Sequence, residues 1–238
     1  MYTRSEERES AAAYQEWLGG RGPGSAFMRF LLGPAGAFLI NTSLFLLPRR
    51  LQISGRQRVL DIGCGRAAAL RFLTGRLKFD SPPVGVDIAP AILECAAKDL
   101  RAGRAVELVT AAATRLPFAD ESFDLILSSY LVKHLGDDAM QRFLAECWRV
   151  LRPEGMLVVW EFAPTRSVLL NRFHNWILTP RVKTCRLRGY GDFVDIAIES
   201  RFADMEIFPI RPILFPPIPR TGFLLRKGRQ APGSAETI

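Results

Sequence analysis

Short apolar runs alternate along the middle of the chain with longer stretches that mix apolar and polar positions. The short runs predict strands at 58–62, 83–87, 105–109, 123–128 and 156–161. The mixed stretches predict helices near 67–75, 90–102 and 138–150. Pro90 falls early in its helix, where a missing N–H costs nothing. Strands separated by helices in this order give an α/β fold, with a parallel sheet and helices on both faces.

The flanks read differently. Residues 1–20 suggest a helix, the glycines and proline of 19–24 a flexible connector, and 25–52 an apolar helical cap, so that 1–54 form a lid ahead of a main domain at 55–228. Residues 163–190 are too long for a plain loop and are expected to be an insertion. A last helix is expected at 192–203, then a closing antiparallel hairpin at 205–213 and 220–227, interrupted by Pro212, Pro216, Pro217 and Pro219. A disordered tail is expected over 229–238.

Two of the apolar runs end in a carboxylate. Val59-Leu60-Asp61-Ile62 leads into Gly63-Cys64-Gly65, and a helix-like segment follows. That is a strand, a tight turn and a helix, the layout of a nucleotide-binding unit. Glycines let the backbone turn sharply and leave no Cβ between it and a ligand. Asp61 at the turn would repel a pyrophosphate but attract a ligand carrying an amine and a sulfonium. About one βαβ spacing on, Val84-Gly85-Val86-Asp87-Ile88 ends the second run, where a carboxylate can accept hydrogen bonds from both ribose hydroxyls.

With Leu116-Pro117-Phe118 leading to Ser122-Phe123-Asp124, and Arg149-Val150-Leu151-Arg152-Pro153-Glu154-Gly155, these segments resemble the motifs of the class I S-adenosylmethionine (SAM)-dependent methyltransferases, strongly over 55–162. The resemblance is to the small-molecule branch that includes quinone, sterol and natural-product enzymes. It implies a Rossmann-like, doubly wound, seven-stranded, mostly parallel sheet. It implies SAM as cofactor, held by Asp61, Gly63, Cys64 and Gly65 at the methionine moiety, Asp87 at the ribose, Ile88 on the adenine, and Ala112, Ala113, Thr114 and Ser128 along the same rim. It implies His134 as a candidate general base and Tyr14, in an N-terminal helix that closes over the cofactor, as a second catalytic candidate. The chain departs from the family at three places. Ala112 stands where an Asp usually meets the adenine amino group, Arg66-Ala67 where a small residue and glycine are usual, and Glu154 where glycine is usual.

Composition narrows the picture. The four cysteines are scattered without a CxxC pair, and there are two histidines, so neither a disulfide framework nor a metal site is expected. Cys64 is expected to be structural. The first residues are charged and lack the apolar core of a signal peptide. Residues 31–47 carry no charge but are broken by Pro34, two glycines and Asn41-Thr42-Ser43, so a lid is expected there rather than a membrane span. A cytoplasmic protein follows, with 26–48 the candidate for peripheral membrane contact. The net charge of +8 gathers at 181–188 and 220–229 without aromatic interleaving, so no specific nucleic-acid partner is expected. Aromatics in both flanks, such as Phe38, Phe162, Phe173 and Trp176, favour a hydrophobic or aromatic acceptor. Three alternatives stay open: a degenerate SAM-binding partner protein, an RNA or protein methyltransferase, and, most remotely, a dehydrogenase. The sequence leaves oligomeric state and acceptor atom open.

Overall fold

The computed structural model describes residues 51–100, 105–178, 189–213 and 218–229, with isolated positions between 12 and 33. Tyr14, most of the expected lid including 34–50, the basic run 179–188 and residues 230–238 lie outside the described residues.

The elements are β1 (Val59–Ile62), α1 (Ala68–Thr74), β2 (Val84–Asp87), α2 (Pro90–Asp99), β3 (Glu107–Thr110), β4 (Phe123–Ser129), α3 (Asp137–Val150), β5 (Leu151–Phe162), α4 (Val168–Leu178), α5 (Tyr190–Ile198), β6 (Asp204–Ile213) and β7 (Ile218–Arg226). They form a seven-stranded sheet in the order β3-β2-β1-β4-β5-β7-β6. The first five pair in parallel, and β7 runs antiparallel to both β5 and β6. The expected mixed sheet with its closing hairpin is therefore present. The strand order reverses at β1, the kind of switch point at whose carboxyl end open α/β sheets bind their ligands.

Burial explains the apolar runs. Every residue of β1 and β2 is buried. One face of the sheet packs Leu60, Ile62 and Ile126 against Met140, Phe143 and Cys147 of α3 and Phe193 of α5. The other packs Val59, Leu125 and Leu127 against Leu70 and Leu73 of α1, with Trp160 and Leu224. Leu51 and Ile53, just ahead of the sheet, join this second cluster. Gly85 in β2 is needed for that packing, since a Cβ there would lie 2.9 Å from Cys64 Sγ and 3.0 Å from Leu70.

Two motifs prove to be one brace. Glu146 accepts the Leu116 N–H at 2.7 Å, and Arg149 donates to the Leu116 and Phe118 carbonyls at 3.0 and 2.7 Å.

Some boundaries differ from expectation. β5 starts at Leu151, five residues early, because Leu151 already pairs with Phe123 before Arg152–Gly155 bulge out and pairing resumes at Met156. Glu154 sits in that bulge at φ 65, and Ala67 caps α1 at φ 55, so both departures from glycine keep a left-handed backbone. α5 ends at Ile198 instead of running to 203. The insertion contains a helix, α4, that the loop-length argument did not resolve.

Candidate active site

The carboxyl ends of the parallel strands carry two groups of polar residues. The first surrounds the glycine turn. Gly63 and Gly65 have φ of 71 and 53, a region that strains side-chain-bearing residues, and both the Gly63 and Cys64 N–H groups donate to the Val86 carbonyl, at 2.8 and 2.9 Å. The turn is thereby fastened to β2. Asp87, 7% exposed, accepts the Gly65 N–H on Oδ2 and the Ala89 N–H on Oδ1, each at 3.0 Å. One carboxylate thus fixes both the glycine turn and the start of α2. Arg66 forks onto Asp99 with contacts of 2.7 and 2.9 Å, tying the turn to the end of α2.

Asp61 is 1% exposed, and its Oδ1 has no hydrogen-bond partner among the described residues. Burial, and then the nearby Asp87, push its pKa up to about 7. An unpartnered buried carboxylate oxygen is costly and calls for a donor. Space for that donor exists, because a Cβ built on Gly65 would meet nothing within 4 Å. A ligand presenting an ammonium group would satisfy Asp61 and pull it back toward the ionised form. The residues present therefore fit the methionine end of SAM. Burial also raises the Asp87 carboxyl, opposed by its three backbone hydrogen bonds. Burial, Asp61 and Asp87 push the Cys64 thiol upward, which leaves it an inert packing group.

Ile88 and Ala112, Ala113 and Thr114 stand half-buried beside Asp87, whose carbonyl accepts the Ala111 N–H at 3.1 Å. Ser128, one residue before the end of β4, is fully buried, with its Oγ unpartnered among the described residues. The structure brings Asp61, the glycine turn, Asp87, Ile88 and the 112–114 turn to one rim.

The second group lies across β4 and β5. Tyr130 turns the chain at φ 55 and stacks on Phe162 with ring centroids 4.4 Å apart. Arg220, at the start of β7, donates to the Tyr130 hydroxyl at 3.2 Å. Glu161, 5% exposed, accepts the Lys133 N–H at 3.1 Å and its neighbour Phe162's N–H at 2.9 Å. Lys133 is buried too; its Nζ donates to the Tyr130 carbonyl and lies 3.6 Å from Glu161. Glu161 also lines a small pocket with Val132, Phe162, Ala163, Phe193 and Phe223. Leu131 joins the two groups, its side chain 3.2 Å from where a Gly63 Cβ would stand.

His134 sits on the short 3-10 turn Val132–His134. Burial and then Lys133 hold its pKa well below the ordinary imidazole value, which weakens it as a base. His174 is buried, with both ring nitrogens unpartnered among the described residues. Lys133, Glu161 and Arg220 were not singled out by the sequence. One signal was available for Glu161: β5, like β1 and β2, is an apolar run with an acid at its carboxyl end.

Among the described residues no helix is long and apolar enough to cross a membrane.

A methyltransferase-domain family model matches residues 60–159. A demethylmenaquinone methyltransferase of Roseiflexus is 35% identical over 134 residues, 56% of this chain and 54% of that protein. A ubiquinone/menaquinone biosynthesis C-methyltransferase of Citrifermentans bemidjiense is 28% identical over 67% of this chain and 70% of that one. The chain thus spans about half the length of the first of these relatives and about two thirds of the second. A phosphoethanolamine N-methyltransferase 2 of Haemonchus contortus, solved with phosphomonomethylethanolamine and S-adenosylhomocysteine, shares the fold, with a TM-score of 0.70, 17% identity, and coverage of 91% of this chain and 61% of that one. With its strand order, its glycine turn between two buried aspartates and a methyltransferase-domain model matched over residues 60–159, the chain is similar to the class I SAM-dependent methyltransferases.

Proposed function

We propose that the protein transfers the methyl group of SAM to a small, apolar, quinol-like acceptor. The observation that carries the cofactor half of this reading is the buried, unpartnered Oδ1 of Asp61, just ahead of a turn with open space at Gly65. The names of the relatives support the acceptor class.

When bound, SAM supplies a methyl group activated by a sulfonium. Asp61 and the turn at Gly63–Gly65 hold its amino-acid end, Asp87 its ribose, and Ile88 packs on the adenine. Catalysis is then mostly alignment of the acceptor atom with the methyl carbon. The pocket beside Glu161 is walled mostly by aromatic and aliphatic groups. Glu161, on the wall of that pocket, is the residue placed to take the proton that the acceptor gives up as its new bond to carbon forms; His134, desolvated and beside Lys133, is a weakened base. The lid over residues 1–54, with Tyr14, belongs to the same proposal.

Calorimetric titration with SAM, S-adenosylhomocysteine and NAD tests the cofactor. Binding of both adenosyl compounds and not of NAD supports the reading, and no adenosyl binding by folded protein overturns it. Turnover of a short-chain demethylmenaquinol, followed by mass spectrometry, tests the acceptor.

A further inference from the structure

α4 follows β5 almost directly, and its first turn is fastened to the rim. Thr165 donates through its N–H and hydroxyl to Asn171 Oδ1 at 2.6 and 2.9 Å, and Asn171 Nδ2 donates back to the Thr165 carbonyl at 2.8 Å. This holds Asn171 and the buried His174 on the inner side. At 3.6 residues per turn, Val168, Leu169, Arg172, Phe173 and Trp176 fall together on an outer arc of about 140°. That arc is exposed: Val168 by 72%, Leu169 by 77%, Phe173 by 42% and Trp176 by 50%. A soluble protein gains nothing from presenting so many large apolar groups side by side.

Charge says what would cover them. Between Glu161 and Asp192 the sequence has no acidic residue and six basic ones; of these, Arg172 stands within the arc and Arg166 just ahead of the helix, both exposed. Apolar groups with tryptophan on one helical face, interspersed with arginine, match the boundary between headgroups and acyl chains of an anionic bilayer. Two aliphatic side chains more than 70% exposed have no use on a nucleic-acid backbone.

We propose that the outer face of α4 docks this protein on an anionic membrane surface, lying in the interface without crossing it. This surface is separate from the 26–48 segment. The proposal does not depend on the methyl-transfer reading. Its consequence for that reading is spatial, because Ala163, a few residues before α4, lines the pocket beside Glu161.

The test is co-sedimentation of the full chain with vesicles of phosphatidylcholine alone and of phosphatidylcholine with phosphatidylglycerol. Binding is expected to the anionic vesicles at least about tenfold more tightly than to the neutral ones, and to weaken as salt rises. Replacing Val168, Leu169 and Trp176 together by Gln removes apolar contact from positions that are already exposed, so thermal unfolding should not change. Vesicle binding should fall by at least about tenfold. Replacing Arg166 and Arg172 by Gln should remove most of the preference for anionic over neutral vesicles. No binding to either vesicle overturns the proposal. So does anionic-vesicle binding that the triple Gln variant retains in full, because the contact then lies elsewhere. Loss of RNA binding by the same variant, with vesicle binding unchanged, would reassign the face to nucleic acid.

Discussion

The two halves of the rim are built from the same materials to opposite electrostatic ends. Around the glycine turn, Asp61 and Asp87 are buried together without a cation beside either among the described residues, and both carboxyls are pushed up. Around Tyr130, the buried carboxylate Glu161 lies beside the buried Lys133, with Arg220 one stacked ring away. The first half is incomplete without a cationic ligand, and the second is already balanced by the protein. An incomplete site is where ligand binding gains most, since pairing a buried charge relieves a cost the free protein bears. A balanced site holds its geometry with or without a ligand. On this view the cofactor half supplies affinity and the acceptor half supplies positioning.

The largest effect should come from Asp87→Ala. It removes the proposed ribose contact and also the acceptor for the Gly65 and Ala89 N–H groups. SAM affinity should fall by more than about a hundredfold, since each hydrogen bond to a charged group contributes about 1.5–3 kcal/mol. Affinity within about tenfold of the native protein would mean that Asp87 is a structural brace alone.

Glu161→Gln is the counterpart in the other half. The amide keeps one oxygen acceptor, so one of the two N–H groups, Lys133 on Oε2 or Phe162 on Oε1, loses its partner, and the side chain cannot take a proton. SAM affinity should stay within about twofold, while turnover of demethylmenaquinol falls by about 10²–10⁴, the usual range for loss of a proton acceptor. If SAM affinity and turnover fell together, the two halves would not be separable. If turnover were unchanged, Glu161 would only clamp the turn at Lys133.

The two halves also differ in how far the sequence disclosed them. Asp61, the glycine turn and Asp87 lie in two contiguous motifs at strand ends, so local pattern and spacing were enough. The acceptor half draws on three separated places, the turn after β4, the end of β5 and the start of β7. Nothing in the chain says that Glu161 and Arg220 converge until β7 pairs with β5, where Phe162 faces Arg220. Lys133 is hidden for a second reason. Lysines are rarely buried, so in Lys133-His134 chemical prior favours the histidine, whereas the fold puts the ammonium between a carboxylate and two aromatic rings. The sheet was legible throughout because buried parallel strands are apolar on both faces. The bulge at Arg152–Gly155 was not, because Pro-Glu-Gly carries the chemistry of a turn and only the pairing of Leu151 with Phe123 shows that the strand has begun.

The pH dependence of SAM binding sharpens the contrast. Asp61 titrates near 7 in the free protein. A cationic amine prefers the carboxylate, so affinity should rise up to about tenfold per pH unit below 7 and level off above it. Stability of the free protein should run the other way. A carboxyl raised above its unfolded value favours the fold most at pH below that unfolded value, and the benefit is lost as pH rises through 7. Asp61→Asn should flatten both profiles. A native profile already flat between pH 5 and 8 would mean that the amine is not seated on Asp61. The same titration with Glu161→Gln should keep the native slope.

The smallest effect belongs to a gap in the cofactor half. Ala112 stands on the turn beside Asp87, at the place where the family usually supplies a carboxylate to the adenine amino group. Ala112→Asp restores that acceptor at a half-buried position whose carbonyl already pairs with the Arg115 N–H at 3.1 Å. One hydrogen bond contributes about 0.5–1.5 kcal/mol net, so SAM affinity should rise by roughly two- to tenfold. Some of that gain opposes the repulsion of another negative charge near Asp87, whose carboxyl burial already raises. The ligand series separates the two contributions. SAM, S-adenosylhomocysteine and adenosine share the amino group and should gain alike, whereas a general increase in negative field would favour the sulfonium of SAM over the neutral adenosine. An equal gain places the adenine on this turn. A gain confined to SAM means the new carboxylate acts only through its charge, and no gain for any of the three means that Thr114 or a backbone carbonyl already holds the amino group.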